Sequence, residues 1–277
     1  MKYYFVQYQS VREAEKTCEI LLLMTAVSSP TPVNPDNDLR CWTLLKRKQL
    51  EVVHTSLFPR RSIQTHSIFS QLEHQVRYQP AHLARVRVFG RWHPLPRQQA
   101  GYGDCGVSYT YSSVTLPAEP WTPILAELRD MVEKVSGVRY NFVIVNRYAT
   151  GDHFVGQHRD SDPALDPTAP IASLSFGATR DLRFKYCGAV CTTDEESENT
   201  TAVNVALEDG MLLLMKPPTN EFWYHSIPIR KKCKEVRISL TFRRLKKTCL
   251  SHAGISGDVG SDCGKEGASD CGVLTTS

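Results

Sequence analysis

The sequence predicts a mainly β fold with flanking helices, an α+β arrangement in which antiparallel strands form a double-layered barrel. Three observations point there. Two segments with helical spacing of apolar residues stand in the first half of the chain. A run of short, β-rich segments bounded by turns follows them. The length, 277 residues, suits one large all-β unit or two small domains.

The elements follow in chain order. Residues 1–50 differ from the rest and are left unassigned; within them Ser28 to Asp38 is rich in Pro, Asn, Ser and Asp and reads as a linker. Ser62 to Val76 reads as a helix, with Ile63, Ile68, Phe69 and Leu72 near helical spacing. Ala84 to Phe89, then Gly90, then Arg91 and Trp92, reads as a hairpin. Ile124 to Val135 is a second helix, with Leu125, Leu128, Met131 and Val132 on one stripe. Strands are expected at Asn141 to Tyr148, Ile171 to Phe176, Leu182 to Tyr186, Thr201 to Leu207, Met211 to Lys216 and Glu235 to Arg243. Thr192 to Thr200 is polar and acidic and reads as a loop. The Gly-, Ser- and Asp-rich end, residues 248–277, is expected to be a disordered tail, which leaves 51–247 as the folded unit.

Composition excludes several classes. With 41% hydrophobic and 22% charged residues the chain can build a core, which argues against global disorder. The apolar run Ile20 to Val27 is too short to span a bilayer and follows Glu13, Glu15, Lys16 and Glu19, the wrong preface for a signal peptide. No membrane partner is expected. Nine cysteines, an odd number with no CxxC pair, argue against a disulfide framework or zinc finger and for a reduced, intracellular compartment. The net charge of +4 is mild, but basic residues cluster: Lys46 to Lys48; Arg85, Arg87, Arg91 and Arg97; Arg230, Lys231, Lys232 and Lys234; and Arg243, Arg244, Lys246 and Lys247. Such clusters suit a polyanion such as nucleic acid, although any single cluster reads more readily as solvated surface charge.

Chemistry enters at His158–Arg159–Asp160. In an extended segment residues two apart share a face, so His158 and Asp160 can hold one ion together. His225, between the aromatic run Phe222–Trp223–Tyr224 and a turn at Pro228, is the best third ligand. Two histidines and a carboxylate leave coordination positions open, as non-haem iron(II) oxygenases require. Taken alone, the HxD pair is weak, and a surface histidine beside an aspartate is the commoner explanation. A second constellation is Arg237 to Arg243, in which Ile238, Leu240 and Phe242 face one way and Arg237, Ser239, Thr241 and Arg243 the other. Two arginines facing into a barrel need anionic partners, and a dicarboxylate such as 2-oxoglutarate would serve both. Asn146 and Tyr148 share a face and could add neutral hydrogen bonds. An edge strand with its charges in water is the competing reading.

The separated motifs NFVIVNRY (141–148), GQHRD (156–160), PIASLSFGATRDLRFKY (170–186), PTNEFWYHSIPIRKK (218–232) and RISLTFR (237–243) resemble, in order and spacing, the AlkB-type dioxygenases that depend on iron(II) and 2-oxoglutarate. VFGRWHPLPRQQAGYGDCGVSYTYS (88–112) narrows the likeness to the animal branch that repairs duplex DNA. The resemblance runs from about Leu57 to Lys246. It implies a double-stranded β-helix, or jelly roll, with iron on His158, Asp160 and His225. Asn146, Tyr148, Arg237 and Arg243 would bind 2-oxoglutarate, with dioxygen as the further cosubstrate. Tyr109, Tyr111 and Asp162 would contact the damaged base, Val88, Phe89 and Gly90 would form a finger entering the base stack, and Arg97 would join the substrate contacts. The implied activity is oxidative demethylation of 1-methyladenine and 3-methylcytosine in double-stranded DNA by base flipping, releasing formaldehyde, succinate and carbon dioxide. A nuclear monomer is implied with it. The chain departs from the family pattern at His153 and Ser161, which stand where acidic residues are usual, and at Ser239, which replaces an Asn. Two alternatives remain at this stage: the same chemistry on RNA or single-stranded DNA, and a non-catalytic reader of methylated bases.

Overall fold

In the computed structural model, which describes residues 41–82, 84–88, 90–111, 114–188 and 202–246, two sheets face each other across an apolar layer. The strands are β1 (Thr43–Arg47), β2 (Leu50–Ser56), β3 (Arg85–Val88), β4 (Arg91–Pro94), β5 (Gln98–Gly103), β6 (Ser108–Tyr111), β7 (Val114–Pro117), β8 (Glu119–Pro120), β9 (Phe142–Tyr148), β10 (Val155–His158), β11 (Ile171–Gly177), β12 (Arg180–Tyr186), β13 (Val203–Leu207), β14 (Met211–Met215), β15 (Trp223–Ile227) and β16 (Arg237–Arg243). The helices are α1 (Ile63–Gln75), α2 (Pro123–Ser136) and the single turn α3 (Thr219–Phe222). The large sheet runs β1-β2-β14-β11-β16-β9-β5-β8, antiparallel except for the β5–β8 pair, and the smaller runs β10-β15-β12-β13. This is the two-layered, strand-rich architecture expected of a jelly roll.

Alternation along the central strands divides the molecule. Ile238, Leu240 and Phe242 of β16, Ala172, Leu174 and Phe176 of β11, and Val143 and Val145 of β9 pack with Leu125, Leu128 and Val132 of α2 and Ile68 and Leu72 of α1. The opposite faces of β11 and β14 send Ile171, Leu213 and Met215 between the sheets to meet Leu182, Phe184, Trp223 and Ile227. Both helices are capped as their sequences dictate. Ser62 accepts the Thr65 amide at the start of α1; Thr122 accepts that of Leu125, with Pro123 at the first helical turn and Gly137 in the left-handed region at the end of α2.

Several expectations need correction. Strands do not simply follow helices: β1 and β2 precede α1, and β3 to β8 lie between α1 and α2. Strand pairing begins at Thr43, within the segment left unassigned from sequence. The pattern in β1 is weak because the strand is mostly exposed, and β5 contains glycines that break any strand signature. At Gly103 the residue type matters, because a Cβ there would lie 2.6 Å from the Asn141 carbonyl oxygen, a backbone atom. Ile63, expected on the buried stripe of α1, is 90% exposed because it sits at the first helical position, outside the face that packs on β11. His225 lies inside β15 rather than after it. The hairpin forms as β3 and β4, with Val88 paired to Arg91 and Gly90 at φ +78°, a conformation glycine adopts at low cost. Phe89 at its tip, the 192–200 loop and residues 248–277 lie outside the described residues.

Candidate metal centre and the cavity between the sheets

β10 and β15 run antiparallel with His158 directly opposite His225, so the two imidazoles meet across the strand pair with ring centroids 4.3 Å apart. Asp160, just past the end of β10, brings Oδ1 to 3.6 Å from His158 Nε2 and 3.9 Å from His225 Nε2. Ligand atoms of the three residues lie within 4.8 Å of one another. His158 Nδ1 sits 3.0 Å from the Gly156 carbonyl, which fixes the tautomer that leaves Nε2 as an acceptor facing the cluster. Asp160 Oδ1 is buried with no hydrogen-bond partner among the described residues, which is where a cation would bind.

The electrostatics match that donor set. Burial alone would raise the Asp160 carboxyl, but its neighbours, the Arg243 guanidinium foremost, outweigh it and hold it at about 2. Burial, reinforced by His158, depresses His225 to about 3; burial likewise lowers His158. The cluster is therefore an ionised carboxylate with two neutral imidazoles, the protonation state in which all three coordinate a metal.

The cavity beside the cluster has a volume of about 80 Å³ and opens between the sheets. Arg237, Ser239, Thr241 and Arg243 of β16 all line it, as do Ile144, Asn146 and Tyr148 of the neighbouring β9, while Ile171, Leu213 and Met215 form part of its apolar wall. The two arginines divide their work. Arg237 is 1% exposed; Nη2 donates to Ser175 Oγ and Ser239 Oγ, and its guanidinium lies 5.2 Å from the Tyr148 ring. Nε and Nη1 have no partner among the described residues, and burial pulls the group down to about 10. An unpaired buried guanidinium is costly, so an anion fits there. Arg243 turns instead to the metal cluster. Its Nε donates to Asp160 Oδ2 at 2.7 Å, Nη2 lies 2.6 Å from the same oxygen, and Nη1 donates to the Thr241 carbonyl.

The other expected site residues take varied places. Asn146 accepts from Arg97 Nε at 2.8 Å and from Gln99 at 3.4 Å. Arg97 thus belongs to the buried cavity wall rather than to a surface cluster, as does Arg243. Tyr109 is 1% exposed, stacks on Phe142 and lies 4.8 Å from the Arg243 guanidinium. Tyr111 lies on β6, of which Tyr109 is also part. Asp162 is buried and spends both oxygens on backbone amides, those of Thr110 and Ala164, so it ties β6 to the loop that carries Asp160. His153 accepts the Ala149 amide through Nδ1, and Ser161 is exposed. Val88 and Gly90 flank the hairpin tip.

Sequence reading passed over Arg180, Asn220 and Gln99. Arg180 is buried and bonds three backbone carbonyls, of Thr150, His153 and Pro228, which fastens the loop after β9 to the segment after β15. No short motif signals such a role, because its partners are backbone atoms far away in sequence.

The sequence matches the 2OG-Fe(II) oxygenase superfamily over residues 51–243. It is 44% identical over 207 residues to the DNA oxidative demethylase ALKBH2 of Mus musculus, covering 75% of this chain and 85% of that protein. The corresponding protein of Homo sapiens is also 44% identical over 207 residues, covering 75% of this chain and 78% of its own length. The alpha-ketoglutarate-dependent dioxygenase alkB homolog 3 of Rattus norvegicus is 36% identical over 155 residues, covering 54% of this chain and 50% of that protein.

Proposed function

The chain belongs to the 2OG-Fe(II) oxygenase superfamily, and we propose that it is a DNA oxidative demethylase acting on 1-methyladenine and 3-methylcytosine in double-stranded DNA. The observation that carries this reading is the convergence of His158, Asp160 and His225 beside a cavity whose wall holds Arg237 with unpartnered nitrogens. Relatives at 44% identity are DNA oxidative demethylases, which favours DNA over RNA. A binding protein that only reads methylated bases would have no use for the metal cluster.

His158, Asp160 and His225 hold iron(II), and Arg237 takes a carboxylate of 2-oxoglutarate with Tyr148 and Asn146 alongside. Iron, 2-oxoglutarate and dioxygen together supply the oxidation of the N-methyl carbon that ends in formaldehyde, succinate and carbon dioxide. The protein contributes position and environment. Arg243 keeps Asp160 ionised, and the apolar wall of Ile171, Leu213 and Met215 keeps the cavity poor in water. Tyr109 and Tyr111 sit on the strand that approaches the cavity, where an aromatic face attracts the cationic ring of an N-methylated base. Asp162 contributes by holding that strand in place. Arg85, Arg87 and Arg91 on the exposed β3–β4 hairpin suit phosphate, which is the reason to prefer a duplex held on both strands. A nuclear monomer is consistent with this substrate.

Phe89 tests the duplex assignment. Extruding a base loses stacking worth a few kcal/mol, and an aromatic in the gap recovers roughly 1–3 kcal/mol of it. Phe89→Ala should therefore impair repair of a methylated duplex while largely sparing the matched single strand. Equal losses on both, with a lowered melting temperature, would make Phe89 structural and remove this support for duplex preference.

A further inference from the structure

Asp160 stands where the sheet ends. β10 pairs with β15 only as far as His158 opposite His225, and the chain then leaves the ladder. The backbone N–H and C=O of a buried residue need partners, and among the described residues no neighbouring strand supplies them here. The side chain of Asn220 does. Its Oδ1 accepts from the Asp160 amide at 2.9 Å and its Nδ2 donates to the Asp160 carbonyl at 2.8 Å, so one carboxamide takes the place of a strand partner. Asn220 is itself fixed on the far side. Its neighbour Thr219, 0% exposed, accepts the Glu51 amide at 2.8 Å and donates to the Glu51 carbonyl at 3.1 Å, anchoring α3 to β2 of the large sheet. Arg159 Nη1 bonds the Glu221 carbonyl from the opposite direction. The turn Thr219–Glu221 is thus a staple between the large sheet and the loop that presents the carboxylate ligand.

We propose that Asn220 is a positioning residue for the metal centre, acting through the backbone of Asp160. The division of labour follows from the contacts. Arg243 restrains the Asp160 carboxylate through Oδ2, whereas Asn220 restrains the main chain from which that carboxylate projects. Without Asn220 the carboxylate keeps its charge but loses its aim: Oδ1 no longer rests between the two imidazoles. The proposal rests on the metal-centre reading given above.

The test measures metal binding directly, without turnover. Titration of the metal-free full chain with cobalt(II), followed by its visible absorption, gives affinity and ligand-field signature together. Asn220→Ala should weaken cobalt binding by about 10–100-fold, the usual cost of removing a group that orients a metal ligand, and alter the absorption envelope. Asn220→Asp retains an acceptor for the Asp160 amide but no donor for its carbonyl, and should fall between Asn220→Ala and the wild type. A melting curve of each metal-free variant accompanies the titration. Unchanged affinity and spectrum in Asn220→Ala, with or without a lowered melting temperature, would overturn the proposal; if that variant does not fold, wild-type behaviour of Asn220→Asp would overturn it instead. Failure of the wild-type chain to bind cobalt would overturn the metal-centre reading itself, an outcome separate from the other two.

Discussion

Arg237 is buried with two guanidinium nitrogens unpartnered, so it is poised to gain most from an anion in the cavity. A charge-assisted hydrogen bond contributes about 1.5–3 kcal/mol, so Arg237→Ala should weaken 2-oxoglutarate binding by roughly 10–150-fold while leaving DNA binding nearly unchanged. Calorimetric titration of the cosubstrate reads this, and an unchanged affinity would remove Arg237 from the site. The buried histidines make a second prediction. Burial lowers His54, His158 and His225, the last to about 3. Below the ordinary imidazole value of about 6.5, the unfolded chain takes up protons that the folded chain refuses. The stability of the metal-free protein is therefore fully present above that value and is lost as pH falls through it toward about 3. Denaturant midpoints should be lower at mildly acidic than at neutral pH; a flat or opposite trend would show that these histidines are not held neutral. At this scale the sequence was informative where chemistry is local. The spacing of His158 and Asp160 and the alternation that sets Arg237 and Ser239 on one face could be read in the sequence, although neither pattern alone excluded ordinary surface residues. Arg180 and Asn220 were illegible because each acts on backbone atoms brought near only by folding, and Arg97, expected among the substrate contacts and in a basic cluster, gave no sign in the sequence of its hydrogen bond to Asn146.

Among the elements, β16 carries the site because it packs apolar residues on α2 with one face and lines the cavity with the other. Its clean alternation is why both faces could be read in advance. β5 could not be read, since Gly103 serves a close approach to the Asn141 backbone rather than a pattern, and β1 could not because exposure removes the apolar signal. The β3–β4 hairpin has a different character. Every residue of β4 is exposed, including Trp92 at 47%, and Arg85, Arg87 and Arg91 project from a ribbon with little packing behind it. Such an element is available to a partner. If that partner is phosphate, Arg85→Ala and Arg91→Ala should each weaken duplex binding uniformly across sequences and reduce the slope of log affinity against log salt by roughly one. Filter binding or fluorescence anisotropy over a salt series measures the slope. A slope unaffected by both changes would mean that the hairpin arginines are ordinary surface.

For the whole molecule, two sheets closing on a cavity bring His158 and His225 of the smaller sheet, with Asp160 just past β10, beside the buried Arg237 of the larger one. Neither sheet alone holds both, so the proposed reaction would depend on the two sheets together. The central claim is that this junction removes methyl groups from DNA bases by iron- and 2-oxoglutarate-dependent oxidation. Its most direct test incubates the protein with a duplex oligonucleotide carrying a single 1-methyladenine, iron(II), 2-oxoglutarate and dioxygen, and follows the base by mass spectrometry. The predicted result is conversion to unmodified adenine with formaldehyde released in equal amount, abolished by a strong chelator and by His158→Ala, Asp160→Ala or His225→Ala. Conversion that persists in the chelator, or an intact lesion with all cosubstrates present and the wild-type protein folded, would contradict it.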